Sequence, residues 1–357
     1  MINIISPINP LGYGVAGLNI TKELAKEKDI ALWIMGQPSV TNQEDANILK
    51  QCLQNASMPD FNAPCLKIWH QNDMSQFVGR GERVGFPFFE LDEFTDIEKH
   101  HLNSLDKLFV SSSWAKNIAA SQLSLPEDKI FVVPLGVDSS IFKPSQVNNE
   151  GPTIFFNCGK WEVRKGHDLL YKIFNEAFSK EDNVELWMMT HNPFLSPEQS
   201  SEWENVYKSS SLGNKIRFIN RVQTHEEVYN IMKECDCGIF PSRAEGWNLE
   251  LLEMLSCGKQ VIATNCSAHT EFCNKDNCLL VDTTNKEMAF DGIWFNGKVG
   301  SWAKIEDKQV SEFAELMREV HNKKQKQELT SNSQGVKTAN NFSWTQSSNK
   351  IREYINV

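Results

Sequence analysis

Short apolar runs and amphipathic stretches alternate along this chain from its first residues. "INIISPI" has strand length and is followed by helical spacing over about 17–27. Then come "IALWIMG", a helical pattern over about 43–56, "LKIWHQ", "VGFPFFE", "KLFVSS", a helix opening at Ser113, and "IFVVPLG". Runs apolar on both faces, separated by helix-length segments, predict a parallel sheet covered on both sides. The polar stretch "SQVNNEGP" around 145–152 interrupts the series. It restarts with "TIFFNCG", a helix over 167–179, "VELWMMT", "KIRFIN", a helix over 224–235, "CGIFPS", a helix from about Asn248, and "QVIATN". The pattern predicts two doubly wound α/β domains, 1–147 and 152–340.

Three remaining stretches add less. "HNKKQKQELTSNSQ" reads as a solvated helix face and loop. "DGIWFNGKVGSWAKIED", at 291–307, is a local elaboration to which no role is assigned. In the closing segment 342–357, Ser343 is placed to cap a helix whose Ile351 and Tyr354 form an apolar stripe with Phe342 and Trp344.

At 357 residues the chain exceeds the usual single-domain size, in keeping with two cores. Hydrophobic residues at 40% and charged residues at 23% fit a folded globular protein, as does a mean hydropathy of −0.41. No apolar run reaches the roughly 18–20 residues of a spanning helix, and "MINIISPINP" has no basic region ahead of its apolar residues. The expectation is a cytoplasmic protein without a transmembrane segment. The nine cysteines form no C-x-x-C pair, and Cys266, Cys273 and Cys278 lack the paired spacing of zinc sites, so reduced, buried thiols are expected. A net charge of −10 provides no global field toward nucleic acid or anionic lipid. An anionic ligand would need local positive charge.

Three loops after strands could supply a ligand site. Gly12, Gly14 and Gly17 give G-x-G-x-x-G spacing ahead of a helix. The acidic residue that a dinucleotide would need at the end of the second strand is missing from "IALWIMGQP", which leaves a phosphate, a sugar or simply a tight turn. In "NCGKWEVRKGHDLL", Lys160, Arg164 and Lys165 crowd a strand-to-helix loop, suiting a diphosphate or a solvated charged loop. In "FPSRAEGWNLELLEMLSCGKQVIATN", Glu245 lies in the turn and Glu253 inside the helix. Their span fits a nucleoside diphosphate sugar, with one carboxylate at sugar hydroxyls and the other at a ribose. Read alone, it equally fits a helix-start acid and an ordinary helix-surface residue.

Taken together, "SSSWAKNI", "VVPLGVDSSIFKP", "GKWEVRKGHDLL", "EGWNLELLE" and "FSWTQSSNKI" resemble, in order, segments of the retaining glycosyltransferases of the GT-B fold, family 4, also called group 1. The resemblance implies two Rossmann-like domains with a cleft between them, the first on the acceptor side, the second binding the donor, and the closing helix packed back on the first. It implies sugar transfer from a UDP- or GDP-linked donor to an acceptor hydroxyl of a glycan, a lipid or a modified nucleic acid, with no metal or other cofactor. Glu253 would bind the ribose, Glu245 the transferred sugar, Lys165 the diphosphate, and the backbone near Gly246 and Trp247 the phosphates. Lys160 stands where the family usually has arginine, Arg164 where it usually has an acid, and Asn248 where it usually has glycine. The loop with Gly12 and Gly14 would face the donor phosphates and the acceptor. His70, in "KIWHQNDM", would lie near the reacting sugar or be a satisfied structural histidine. Within the same fold the alternatives are transfer to hydroxymethylated pyrimidines of DNA, for which "GRGERV" is the single small basic patch, epimerisation, and nucleotide-sugar binding without transfer.

Overall fold

In the computed structural model, which describes residues 1–355, the buried apolar runs form two six-stranded sheets, every neighbouring pair parallel. The first contains β1 (Ile2–Ser6), β2 (Ile30–Ile34), β3 (Cys65–Lys67), β4 (Arg83–Gly85), β5 (Lys107–Val110) and β6 (Ile130–Val132), in the order β2-β1-β3-β4-β5-β6. The helices between these strands are α1 (Gly12–Ala25), α2 (Gln43–Asn55), α3 (Asp96–Asn103) and α4 (Ser113–Gln122). α1 starts five residues ahead of the predicted helix because glycines let it approach the loop after β1. A Cβ on Gly14 would collide with Asn9, and one on Gly17 with Ser6 and Pro7.

The second sheet contains β7 (Thr153–Gly159), β8 (Val184–Thr190), β9 (Ile216–Phe218), β10 (Cys237–Phe240), β11 (Gln260–Asn265) and β12 (Leu279–Asp282), in the order β12-β11-β10-β7-β8-β9. Around it lie α5 (His167–Ala177), α6 (Pro197–Lys208), α7 (His225–Met232), α8 (Leu249–Ser256), α9 (Asp307–Gln325) and α10 (Ser333–Asn340). Its core joins Phe155, Leu186 and Ile239 from the strands to Leu170 and Phe174 of α5 and to Phe313 and Met317 of α9. The run at 321–334, expected as a solvated helix face and loop, opens on the last residues of α9, which runs for 19 residues and buries Val310, Phe313, Ala314, Met317 and Val320 at helical spacing.

The chain divides after Gly136, and the C-terminal segment from Phe342 belongs to the first unit. The boundary precedes the polar stretch at 145–152 because the residues after Gly136 already pack into the second unit. The Phe142 carbonyl accepts from Ser256 Oγ, and Ser145 N donates to the Cys257 carbonyl at 3.1 Å. α11 (Trp344–Tyr354) is capped by Ser343, buries Ile351 and stacks Tyr354 on Phe131 with centroids 4.5 Å apart. Positions 356 and 357 of the predicted closing helix lie outside the described residues.

The elaboration after β12 is an antiparallel hairpin of β13 (Lys286–Phe290) and β14 (Asn296–Ala303). Asp291 Oδ1 closes its tip by accepting from the backbone N–H groups of Ile293, Trp294 and Phe295 at 2.8–2.9 Å. All nine cysteines are free thiols. Among the described residues no helix is long and apolar enough to cross a membrane.

Candidate active site

In a doubly wound sheet the loops diverge at the point where the strand order reverses, opening a crevice at the carboxyl ends of the strands. In the second unit that point lies between β7 and β10, because β8 and β11 continue outward in opposite directions. The two loops there are 160–166 and 241–248, and Arg243 N donates to the Arg164 carbonyl at 2.7 Å to join them. Gly166 turns into α5 with φ +76°, and a side chain on it would strike the Pro241 carbonyl. His167 buttresses the first loop from beneath. Its Nδ1 accepts from Glu162 N at 3.0 Å, which places the proton on Nε2, 2.9 Å from Asn157 Oδ1. Burial, followed by the nearby Lys165, lowers its pKa to about 3, so this histidine is a neutral strut.

The charges in these loops form one chain of ion pairs. Lys160 Nζ lies 2.8 Å from Glu162 Oε1, and Arg164 Nη2 donates to Glu162 Oε2 at 2.6 Å. Arg164 Nη1 donates to Glu245 Oε2 at 2.7 Å and to the Ala244 carbonyl at 2.7 Å. Glu245 Oε1 accepts from Lys165 Nζ at 3.0 Å and Ser242 Oγ at 2.9 Å. Burial alone would raise the Glu245 pKa, but Arg164 and then Lys165 hold it far below the usual carboxylate range. Lys165 shows the converse: burial opposes its charge, yet Glu245 and Glu250 raise its pKa. These three cations and two carboxylates leave one net positive charge. Lys160, with 34% side-chain exposure, is the most accessible of them.

Glu253, one turn inside α8, is different. It is half-buried, its carboxylate makes no hydrogen bond or ion pair within the described residues, and burial together with neighbouring Glu250 pushes its carboxyl well above the ordinary range. Asn248 explains its departure from glycine: it sits at φ +85°, a region that asparagine tolerates. Its Oδ1 caps α8 by accepting from Leu251 N at 3.1 Å, and its Nδ2 meets His269 Nε2 at 3.0 Å. Trp247 is buried with its ring 4.8 Å from that of Phe272, and Gly246 precedes it in the same buried turn.

The reversal in the first unit falls between β1 and β3. Gly12, Gly14 and His70 gather there, all in the first unit. Gly14 serves close packing, whereas a Cβ on Gly12 would meet nothing within 4 Å. His70 is exposed, and the Tyr13 ring lies 4.5 Å from it and 4.7 Å from Phe88. The arginines of "GRGERV" are engaged within the protein, Arg80 with Asn62 at 2.9 Å and Arg83 with Asp106 at 3.3 Å.

Sequence reasoning missed Glu162, His167 and Arg243. A charge alternating with cations in "KWEVRK" was the available signal for Glu162. Nothing in the sequence marks Arg243, which grips Asp168 with both terminal nitrogens at 2.7 and 2.8 Å and ties the Glu287 carboxylate of the hairpin to the loop at 3.3 Å.

Residues 151–293 match the family described as glycosyl transferases group 1. Among relatives, a phosphatidylinositol N-acetylglucosaminyltransferase subunit of Arabidopsis thaliana is 23% identical over 58% of this chain and 47% of its own length. A putative glycosyltransferase of a Sulfolobus islandicus filamentous virus is 21% identical over 60% and 57%. The chain thus spans about half the length of these relatives. Among solved structures, Anabaena HepE in complex with UDP and glucose superposes with a TM-score of 0.70 at 14% identity, covering 99% of both chains. Sucrose-phosphate synthase from Thermosynechococcus elongatus gives 0.69 at 14% identity, covering 99% of this chain and 97% of that one. The chain has the GT-B fold of these neighbours, as its motifs suggest.

Proposed function

We propose that this chain transfers a sugar, with retained anomeric configuration, from a UDP- or GDP-linked donor to an acceptor hydroxyl. The observation that carries the reading is the contrast between Glu253 and the ion-pair chain beside it. A half-buried carboxylate without a partner is costly, and two ribose hydroxyls donating to it would relieve that cost. The adjacent loops supply the positive charge that a diphosphate needs, with Lys160 accessible and Lys165 and Arg164 oriented by Glu245.

In this reading the bond between the anomeric carbon and the β-phosphate oxygen breaks, and its electron pair leaves with the diphosphate. The acceptor oxygen bonds to the anomeric carbon, and its proton passes to the departing diphosphate. Lys165, supported by Arg164 and Lys160, stabilises charge as it develops on the leaving oxygen. Glu245 accepts three hydrogen bonds from the protein and retains capacity for one hydroxyl of the transferred sugar. Backbone N–H groups around Gly246 and Trp247 face the phosphates, and His70 is assigned the acceptor-side contact. No step requires a metal ion. The nine free thiols fit a reducing, cytoplasmic setting.

Thermal unfolding with UDP, GDP and ADP, followed by turnover of the corresponding donor sugars, tests the proposal. A UDP- or GDP-specific rise in melting temperature together with donor consumption is expected. If no nucleotide raises the melting temperature, the reading fails; nucleotide binding without consumption of any donor reduces the protein to a binder.

A further inference from the structure

The β13–β14 hairpin crosses the second sheet along the carboxyl ends of its strands. It leaves the edge strand β12, is tied midway to the loop after β10, and touches the loop after β8 with its tip. At the midpoint Arg243 Nε donates to Glu287 of β13 at 3.3 Å, and Ala303 N of β14 donates to the Arg243 carbonyl at 3.0 Å. Trp302 Nε1 donates to the same Glu287 oxygen at 3.0 Å, and the Arg243 guanidinium lies 5.9 Å from the Trp302 ring. Ala289 and Trp302 are buried, while Met288 and Phe290 stay exposed. At the tip the Trp294 ring meets Phe194 edge to face with centroids 5.4 Å apart, and Lys160 Nζ stands 5.7 Å from the Phe194 ring. The hairpin thus reaches both ends of the ion-pair chain, through Arg243 beside Glu245 and through Phe194 beside Lys160.

Arg243 differs from the other cations of these loops. Besides Glu287 it holds Asp168 of α5 at 2.7 and 2.8 Å and the Val163 carbonyl at 2.5 Å, and its own N–H donates to the Arg164 carbonyl at 2.7 Å. One residue therefore fixes two consecutive carbonyls of the first loop. The side chains carried by the backbone at that point are Arg164 and Lys165, which hold Glu245. Buried and engaged with two carboxylates and a carbonyl, the Arg243 guanidinium aligns the loops and is not placed as a phosphate ligand. Alignment matters most in the transition state, where displacing a stabilising group by about 1 Å can cost on the order of 10²-fold in rate.

We propose that Arg243 is a positioning residue for the transfer step and that the β13–β14 hairpin is the brace that holds it through Glu287. This deepens the function proposed above and rests on it for the word transfer; the bracing of the loops does not. The test compares the full chain with Arg243→Lys, Glu287→Ala and Glu287→Gln in donor turnover, UDP titration and hydrogen exchange over 163–166 and 241–248. Lysine cannot grip Asp168 with two nitrogens, so Arg243→Lys should lower kcat about tenfold or more while UDP affinity stays within about twofold. Glu287→Ala should act in the same direction and less, and Glu287→Gln, which keeps an oxygen for Arg243 and Trp302, should restore most of the rate. Exchange of both loops should quicken in Arg243→Lys and Glu287→Ala. Unaltered exchange in these two variants, wild-type kcat in both, or equal losses of kcat and UDP affinity would each overturn the proposal, the last by making Arg243 a structural residue only. Should Arg243→Lys fail to fold, the two Glu287 variants still decide, because that carboxylate is only half-buried. Consumption of no donor by the wild type would instead strike the transferase reading; the proposal fails apart from it when the wild type turns over and the variants match it.

Discussion

The two sheets reverse their strand order in the same way, yet the crevices they open are furnished differently. The β7–β10 crevice holds five charged side chains in one chain of ion pairs, with Glu253 unpaired beside it. The β1–β3 crevice holds stacked aromatic rings. Topology decides where a ligand can sit, and side-chain chemistry decides what it is. Charged side chains and aromatic rings at equivalent positions of the two sheets show that the fold leaves this choice to the sequence.

The comparison breaks most easily at Glu245. Removing its charge takes from Lys165 and Arg164 the buried carboxylate they share, and breaking a buried pair in this way typically costs about 3–5 kcal/mol. Glu245→Gln should therefore lower the melting temperature and abolish nucleotide binding together. Urea unfolding of both proteins measures this, and unchanged stability would mean that the ion-pair chain does not organise the site.

Lys165→Ala comes next. In the proposed mechanism its ammonium stabilises the departing diphosphate, and loss of one such group commonly lowers turnover about 10²- to 10³-fold. Single-turnover transfer at saturating donor is the measurement, and wild-type rates would leave Lys165 a purely structural partner of Glu245. Glu253→Ala should act on binding alone, weakening nucleoside diphosphate affinity by about 1.5–3 kcal/mol per hydrogen bond lost to a charged group. Titration of UDP and GDP into both proteins checks this, and equal affinities would remove Glu253 from the site.

Much of this was legible in the sequence, for reasons that particular residues make clear. The alternation of "TIFFNCG", "VELWMMT" and "CGIFPS" with helical segments reports burial on both faces, and burial is what makes the strands. Glu245, Lys165 and Lys160 could be grouped because their loops follow strands of one parallel sheet. What could not be read was pairing. That Arg164 bridges Glu162 to Glu245, or that Asn248 caps a helix against His269, depends on side-chain directions across some 80 and 20 residues of chain. The hairpin was missed because Phe290 in β13 and Ile293 and Trp294 in its tip are apolar yet exposed, which hides where strand ends and turn begins. Only the solvated end of α9 was read, because its charged outer face outweighs the apolar stripe that runs ahead of it.

The smallest effect sharpens the comparison within the second crevice itself, through pH. Glu245 has a depressed pKa in the folded state, so its contribution to stability is present above the ordinary carboxylate range and is lost as pH falls through the folded value. Glu253 has a raised one, so its contribution is full below that range and is lost as pH rises through the folded value. Between pH 5 and 8, ionising Glu253 thus works against the fold while Glu245 remains ionised. Glu253→Gln removes the first effect and leaves the second. Thermal melts of both proteins across this window should diverge, the glutamine variant gaining on wild type as pH rises by roughly 2–4 °C for each kcal/mol recovered. Saturating UDP should close the gap, because ribose hydroxyls donating to Glu253 favour its ionised form. Parallel melting curves would show that Glu253 ionises as an ordinary surface carboxylate. A gap that persists with UDP bound would place the ribose elsewhere.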